Sequence, residues 1–274
     1  MPCVVHSYVL PALPWLTRPA QRWTRRLAAA RRILLASDFD GTVSEIVAVP
    51  EAAVAVAGTQ AALQRLAHDP RWAVALISGR GVADLRERCP LSGVWYLGSH
   101  GNETLAPAGH IIAADSAEPY PVALVPEARA ALAPWPGTRL EIKPRSLALH
   151  FRQAPAAADK VARLAQDLAR AHGLRVLTGK CVFELQAISE RDKGAALAAL
   201  RQNLACDLAV FLGDDQTDES VFSRGDPNLL GIHVGAPEGT RAEFWVAEPR
   251  AAVRWLRRLP VAIATQRGYS RYES

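Results

Sequence analysis

The chain has 274 residues, half of them hydrophobic, with a formal net charge of +5 and four cysteines. That length allows one large domain or two modest ones around a substantial core. Dispersed Cys3, Cys89, Cys181 and Cys206 exclude a disulfide scaffold and a Cys-x-x-Cys zinc site, and no apolar run reaches membrane-span length. Residues 1–32 read as a lead-in ending in a helix over Pro19–Arg32, with Trp15, Trp23 and Leu27 packing on the body. The apolar run from Ile33 to Asp38 predicts a buried strand. A helix is expected over Thr59–Ala67, a strand over Trp72–Ile77, a short helix over Val82–Arg88 and a strand over Val94–Leu97. This alternation predicts an α/β, Rossmann-like parallel sheet with helices on both faces.

The middle of the chain changes character. Strands are expected at His110–Ala113, Thr138–Lys143, Leu147–Arg152, Arg175–Thr178 and Val182–Leu185, with helices at Val125–Ala133 and Ala156–His172. Arg139–Lys143 and Leu147–Arg152 alternate apolar and polar, the mark of antiparallel strands with one open face. Pro144-Arg145-Ser146 is the expected hairpin turn. A smaller α+β module over 107–186 is therefore inserted into a core made of 33–106 and 187–262. The parallel pattern resumes with a helix at Lys193–Asn203, a strand at Leu208–Leu212, a helix at Thr217–Phe222, a strand at Leu230–Val234 and a helix at Arg250–Arg258. The polar tail after Leu259 is expected to fray.

Four segments at expected strand ends or helix starts carry chemistry. In Asp38-Phe39-Asp40-Gly41-Thr42 two carboxylates lie two residues apart, so an extended chain points both one way. Gly41 permits a tight turn, and Thr42 offers a hydroxyl and an N–H to an anion. One carboxylate attacks phosphorus, and its neighbour moves protons. Ser78, Lys193 and Gly213-Asp214-Asp215-x-x-Asp218 add donors for phosphoryl oxygens, a cation and further carboxylates. Magnesium binds through a few carboxylates, water and phosphate, and Asp38 with Asp214 suffices for it. Singly, each has a plainer reading: a surface Asp-x-Asp, a turn after a strand, a surface lysine, an acidic first helical turn.

The ordered set resembles the haloacid dehalogenase superfamily of phosphatases, with a C2-type cap as the insert. It is similar in particular to trehalose-6-phosphate phosphatases over roughly 33–255. The quoted stretches are Asp38–Thr42, Glu45-Ile46-Val47, Pro50-Glu51-Ala52, Ile77–Arg80, Gly98–Glu103, Glu141-Ile142-Lys143, His150-Phe151-Arg152, Lys193-Gly194 and Gly213–Glu219. Val43 stands where a Leu is commoner, and the lead-in matches nothing in the family.

The resemblance implies that Asp38 is nucleophile and metal ligand, and that Asp40 is general acid/base and gives its backbone carbonyl to the metal. Asp214 completes the ligands, with Asp215 and Asp218 close by, around Mg2+. Ser78 and Lys193 hold phosphoryl oxygens. Glu141, Lys143 and Glu184 bind sugar hydroxyls, and Thr42, Gly79, Arg80, His100, Glu103 and Arg152 line the pocket. The function implied is hydrolysis of trehalose 6-phosphate through an aspartyl-phosphate. The alternatives are another glycosyl phosphate of the sucrose 6-phosphate or mannosyl-3-phosphoglycerate type, or a non-catalytic sugar-phosphate sensor. A cytoplasmic monomer with a small sugar phosphate as ligand, and with no nucleic-acid or membrane partner, is expected.

Overall fold

Continuous apolar runs become buried parallel strands, and alternating runs become a second, one-sided sheet. The structure is a computed structural model that describes residues 8–9, 18–113, 120–143, 145–188 and 191–270. Its first half holds β1 (Tyr8–Val9), α1 (Arg18–Ala29), β2 (Ile33–Ser37), α2 (Thr59–Ala67), β3 (Trp72–Ile77), α3 (Val82–Arg88), β4 (Trp95–Gly98), β5 (Glu103–Leu105) and β6 (Ile111–Ala113). Then come α4 (Leu124–Leu132), β7 (Arg139–Ile142), β8 (Ser146–His150), α5 (Ala158–His172), β9 (Leu174–Gly179) and β10 (Val182–Ala187). The chain closes with α6 (Lys193–Asn203), β11 (Leu208–Gly213), α7 (Glu219–Phe222), β12 (Leu229–Val234), β13 (Phe244–Val246) and α8 (Pro249–Ser270).

The large sheet has the order β1-β13-β12-β11-β2-β3-β4-β5-β6. It is parallel from β1 to β4 and antiparallel beyond. Every residue of β2, β3 and β11 is buried, as a sheet covered on both faces requires. Ile33 and Leu35 pack on one side with Trp23, Leu63 and Leu256, while Leu34 and Ala36 pack on the other with Leu197 and Phe222. The expected packing of Trp23 and Leu27 is present; Trp15 lies outside the described residues.

The smaller sheet runs β7-β8-β10-β9, all antiparallel. One face buries Leu147, Leu149 and Leu185 against Val161, Ala165 and Leu168 of α5. The period of two then sends Glu141, Ala148 and Glu184, a single cross-strand row, to the opposite face. That face covers the C-terminal ends of the large sheet's strands.

Three features differ from the sequence reading. The strand expected at His110–Ala113 forms as β6 but extends the large sheet, so 111–113 do not belong to the smaller one. Its partner β5 and the short β1 and β13 carried too few residues for a periodic signal. Helix α8 runs through Pro260 to Ser270 instead of fraying after Leu259, because Ala262 and Ile263 continue its buried stripe. Pro144 of the expected hairpin turn is outside the described residues, and the backbone bond from Lys143 N–H to Ser146 O at 2.9 Å closes that connection.

Candidate active site

Neighbouring strands β11, β2 and β3 end together and deliver Asp214, Asp38 and Ser78 to one place. Ligand sites in open parallel sheets form at such strand ends. The Asp38 N–H still bonds Leu212 O at 2.8 Å, so the ladder fixes the backbone of the first acidic residue. The chain then turns sharply. Phe39 O accepts the N–H groups of Val43 and Ser44 at 3.0 and 2.9 Å.

Gly41 makes this turn at φ +78°, and a Cβ placed there would come within 2.1 Å of Asp214 Oδ2. Both the conformation and the space require glycine. Gly41→Ala is expected to displace Asp214 and to lower the thermal midpoint by at least about 4 °C, read by differential scanning calorimetry.

Asp38, Asp214 and Asp218 are buried and present oxygens that all lie within 4.8 Å of one another. Lys193, the first residue of α6 behind its Asp192 cap, is almost fully buried among them. Its Nζ donates to Asp218 Oδ1 at 2.8 Å and lies 3.2 Å from Asp38 Oδ2. Asp218 also organises the loop, since its Oδ2 accepts the N–H groups of Asp214 and Asp215 at 2.8 and 3.1 Å. Asp215 is used locally: its Oδ1 accepts the Thr217 N–H and hydroxyl at 2.8 and 2.7 Å. Thr42 spends its hydroxyl on Asp214 Oδ1 at 3.0 Å.

Burial, with repulsion from Asp218, Asp214 and Asp215, holds the Asp38 carboxyl well above its ordinary range despite Lys193. Burial, with repulsion from Asp218 and Asp215, pushes Asp214 up to about 7 against Lys180, and burial, with repulsion from Asp215, pushes Asp218 up to about 6 against Lys193. Lys193 is held well above the usual ammonium range, because its carboxylate partners outweigh its own desolvation. The cluster is therefore short of positive charge. A hard cation taking oxygen ligands fits these donors.

Asp40 lines the same cavity but takes its hydrogen bonds from Arg80. Both its oxygens meet Arg80, from Nε at 2.6 Å and from Nη2 at 2.8 Å. Asp40 and Asp215 accordingly stand outside the three-carboxylate group.

Above the strand ends lies a cavity of about 240 Å³ lined by both sheets. From the large sheet come Asp38, Asp40, Ser78, Gly79, Arg80, His100, Lys193 and Asp214. From the smaller one come Glu141, Lys143, Arg152 and Glu184. The segment Ile46–Pro50 gives it an apolar wall. Glu184 is the hub of the upper surface: it accepts from Lys143 Nζ at 2.8 Å and Ser146 Oγ at 2.5 Å, and sits 3.3 Å from His100 Nε2. Burial opposes its ionisation, but Lys143 and His100 prevail and hold its pKa far below the usual carboxylate range. Glu103 is elsewhere, accepting from Ser99 Oγ at 2.5 Å and from the Val82 N–H at the start of α3.

The family model described as Trehalose-phosphatase matches residues 36–244. The chain belongs to the trehalose-phosphatase family. It is 39% identical over 243 residues to a trehalose-phosphate phosphatase of Mycobacterium marinum, covering 83% of this chain and 61% of that protein. It is 40% identical over 225 residues to a trehalose-phosphate phosphatase of Mycobacterium tuberculosis, covering 78% of this chain. The chain spans 56% of that second relative's length. The crystal structure of a trehalose-6-phosphate phosphatase related protein matches with a TM-score of 0.70 at 25% identity, covering 85% of this chain and 98% of that one.

Within this family frame, the chain's own geometry adds residues that sequence reasoning passed over. His150 Nε2 bonds Glu141 Oε2 at 2.7 Å, one step along the alternating face. Lys180, in the turn between β9 and β10, donates to Asp214 Oδ2 at 2.5 Å and so joins the two sheets. Period two could have found His150. Nothing local marks Lys180, because its partner lies 34 residues away.

Proposed function

We propose that this trehalose-phosphatase family member hydrolyses trehalose 6-phosphate to trehalose and phosphate through an aspartyl-phosphate on Asp38. The observation that carries the reading is the buried Asp38 carboxylate beside Lys193, at the floor of a cavity roofed by Glu141, Lys143 and Glu184. Fixed charged groups suit the directional hydrogen bonds of sugar hydroxyls, and Lys193 with Ser78 suits phosphoryl oxygens.

Asp38 Oδ attacks phosphorus as the ester P–O bond breaks, and Asp40 gives its proton to the departing sugar oxygen. Water then attacks the phosphorylated Asp38, Asp40 takes the water's proton, and the acyl phosphate P–O bond breaks. That proton serves the next cycle, so ester and water become sugar and hydrogen phosphate. Asp38, Asp214 and Asp218 are the side chains that would hold Mg2+, with Asp40 offering its carbonyl. Bound there, Mg2+ would offset the charge that gathers on the phosphoryl oxygens. The smaller sheet acts as a cap that excludes bulk water. Free thiols at Cys89, Cys181 and Cys206 support a reducing, cytoplasmic location. Among the described residues no helix is long and apolar enough to cross a membrane.

The test is phosphate release from trehalose 6-phosphate, sucrose 6-phosphate and glucose 6-phosphate, with Mg2+ and with EDTA. The expected result is Mg2+-dependent release with kcat/KM for the trehalose ester at least about tenfold above the others. A stronger preference for another ester would remove the substrate and leave the chemistry.

A further inference from the structure

Four of the five N–H donors of Arg80 are engaged within the protein. Besides Asp40, its Nη1 donates to Asp84 Oδ2 at 2.6 Å and its Nη2 to Pro50 O at 2.8 Å. Its guanidinium lies over the Phe39 ring, 5.7 Å from the centroid, and its side chain is only 11% exposed. Asp84 is in turn held by Arg88 at 2.7 Å, and Arg88 Nη1 fastens the same segment at Glu51 O and Ala53 O. The fork is thus anchored on α3, on the segment after Asp40 and on a buried ring before it reaches Asp40. A planar guanidinium with two parallel bonds fixes the rotation of a carboxylate as well as its place, which an ammonium does not.

We infer that Arg80 is a positioning residue for Asp40, and that it sets proton transfer to the leaving sugar oxygen instead of contacting the sugar phosphate. The inference rests on the hydrolytic reading above. The Nη2 group is shared between Asp40 Oδ1 and Pro50 O. Each Nη2 hydrogen thus has its own acceptor, and with the Nε bond to Oδ2 the fork holds both Asp40 oxygens in one orientation. Asp40 then protonates the departing alkoxide as the P–O bond breaks, and regains a proton from the attacking water. Of its two roles, the first matters only when the leaving group needs a proton.

The experiment compares two esters in Arg80→Lys, Arg80→Met and Asp40→Asn, with far-UV circular dichroism to confirm folding. One ester is trehalose 6-phosphate, whose leaving alkoxide needs a proton. The other is p-nitrophenyl phosphate, whose phenolate leaves without one. Both Arg80 variants are expected to lose about 10²-fold or more in kcat on the sugar ester with KM changed less than about threefold. With p-nitrophenyl phosphate they are expected to keep a rapid burst of one phenolate per enzyme followed by slow turnover, because water activation is also impaired. Asp40→Asn should show the same pattern. Equal losses in the burst and on the sugar ester, or a rise in KM at unchanged kcat, would overturn the inference and leave the hydrolytic reading standing. Failure of the wild type to release phosphate from either ester overturns both. Should Arg80→Met not fold, Arg80→Lys decides, since it keeps the charge and loses the fork.

Discussion

Asp38→Asn is expected to abolish phosphate release, by at least about 10³-fold, and to raise the thermal midpoint of the metal-free protein. The two effects share one cause. A carboxylate at the floor of the site is useful as a nucleophile because it is desolvated and confined, and both conditions are costly to the fold. Burial lifts its pKa first, and Asp218, Asp214 and Asp215 add repulsion that Lys193 does not offset. An acid whose folded pKa lies above its unfolded value binds more protons in the native state. Its ionisation therefore costs stability as pH rises from about 4 through the folded pKa. Near pH 7 the amide removes that cost, and each kcal/mol recovered raises the midpoint by about 2–4 °C. Below about pH 4 wild type and variant should converge, because Asp38 is then protonated in both states. Lys193 is not stranded by the change, since Asp218 remains at 2.8 Å. The measurements are phosphate release and melting in EDTA across that pH range. Residual activity above a few per cent, or a variant that melts lower near pH 7, would contradict the assignment of position 38.

The elements that carry this site were legible because each has a strong local signature. Runs such as Ile33–Ala36 and Ala73–Ile77 are apolar without alternation, so they read as strands buried on both faces, and their ends bear Asp38 and Ser78. The open face of the smaller sheet was legible from period two, which placed Glu141 and Lys143 together before any fold was known. What the residues could not give was the use made of each polar group. Thr42 and Asp215 looked like ligands for an anion or a metal, yet each is satisfied within the loop or by Asp214. Glu103 lay in a family-like stretch but closes the start of α3. Hydrogen-bond partners come from long-range packing, and a side chain's chemistry alone does not fix them. Lys180 and Arg139 illustrate the same point across the two sheets: Arg139 of β7 pairs with Glu51 at 3.0 Å, and neither residue has a local pattern that anticipates the other.

Lys193→Met is the substitution expected to damage the fold most. Its ammonium is 2% exposed and faces Asp218, itself without exposure, at 2.8 Å and Asp38 at 3.2 Å. Methionine fills much the same volume, so no large cavity arises and the loss is electrostatic. Removing one member of a buried ion pair costs about 3–5 kcal/mol, because the partners stay buried without compensation. Here the remaining carboxylates already repel, and Asp218 cannot rotate away while its other oxygen holds the N–H groups of Asp214 and Asp215. The loop that presents Asp214 should therefore loosen along with the global loss. Urea unfolding in EDTA is expected to show a drop of that size, and added Mg2+ should recover part of it by supplying positive charge to the same oxygens. Asp38→Asn should stabilise the Lys193→Met protein by more than it stabilises the wild type, since in that background it removes one of the stranded charges. An equal effect of Asp38→Asn in the two backgrounds would mean that position 193 acts through packing, and the electrostatic account of the site would fail.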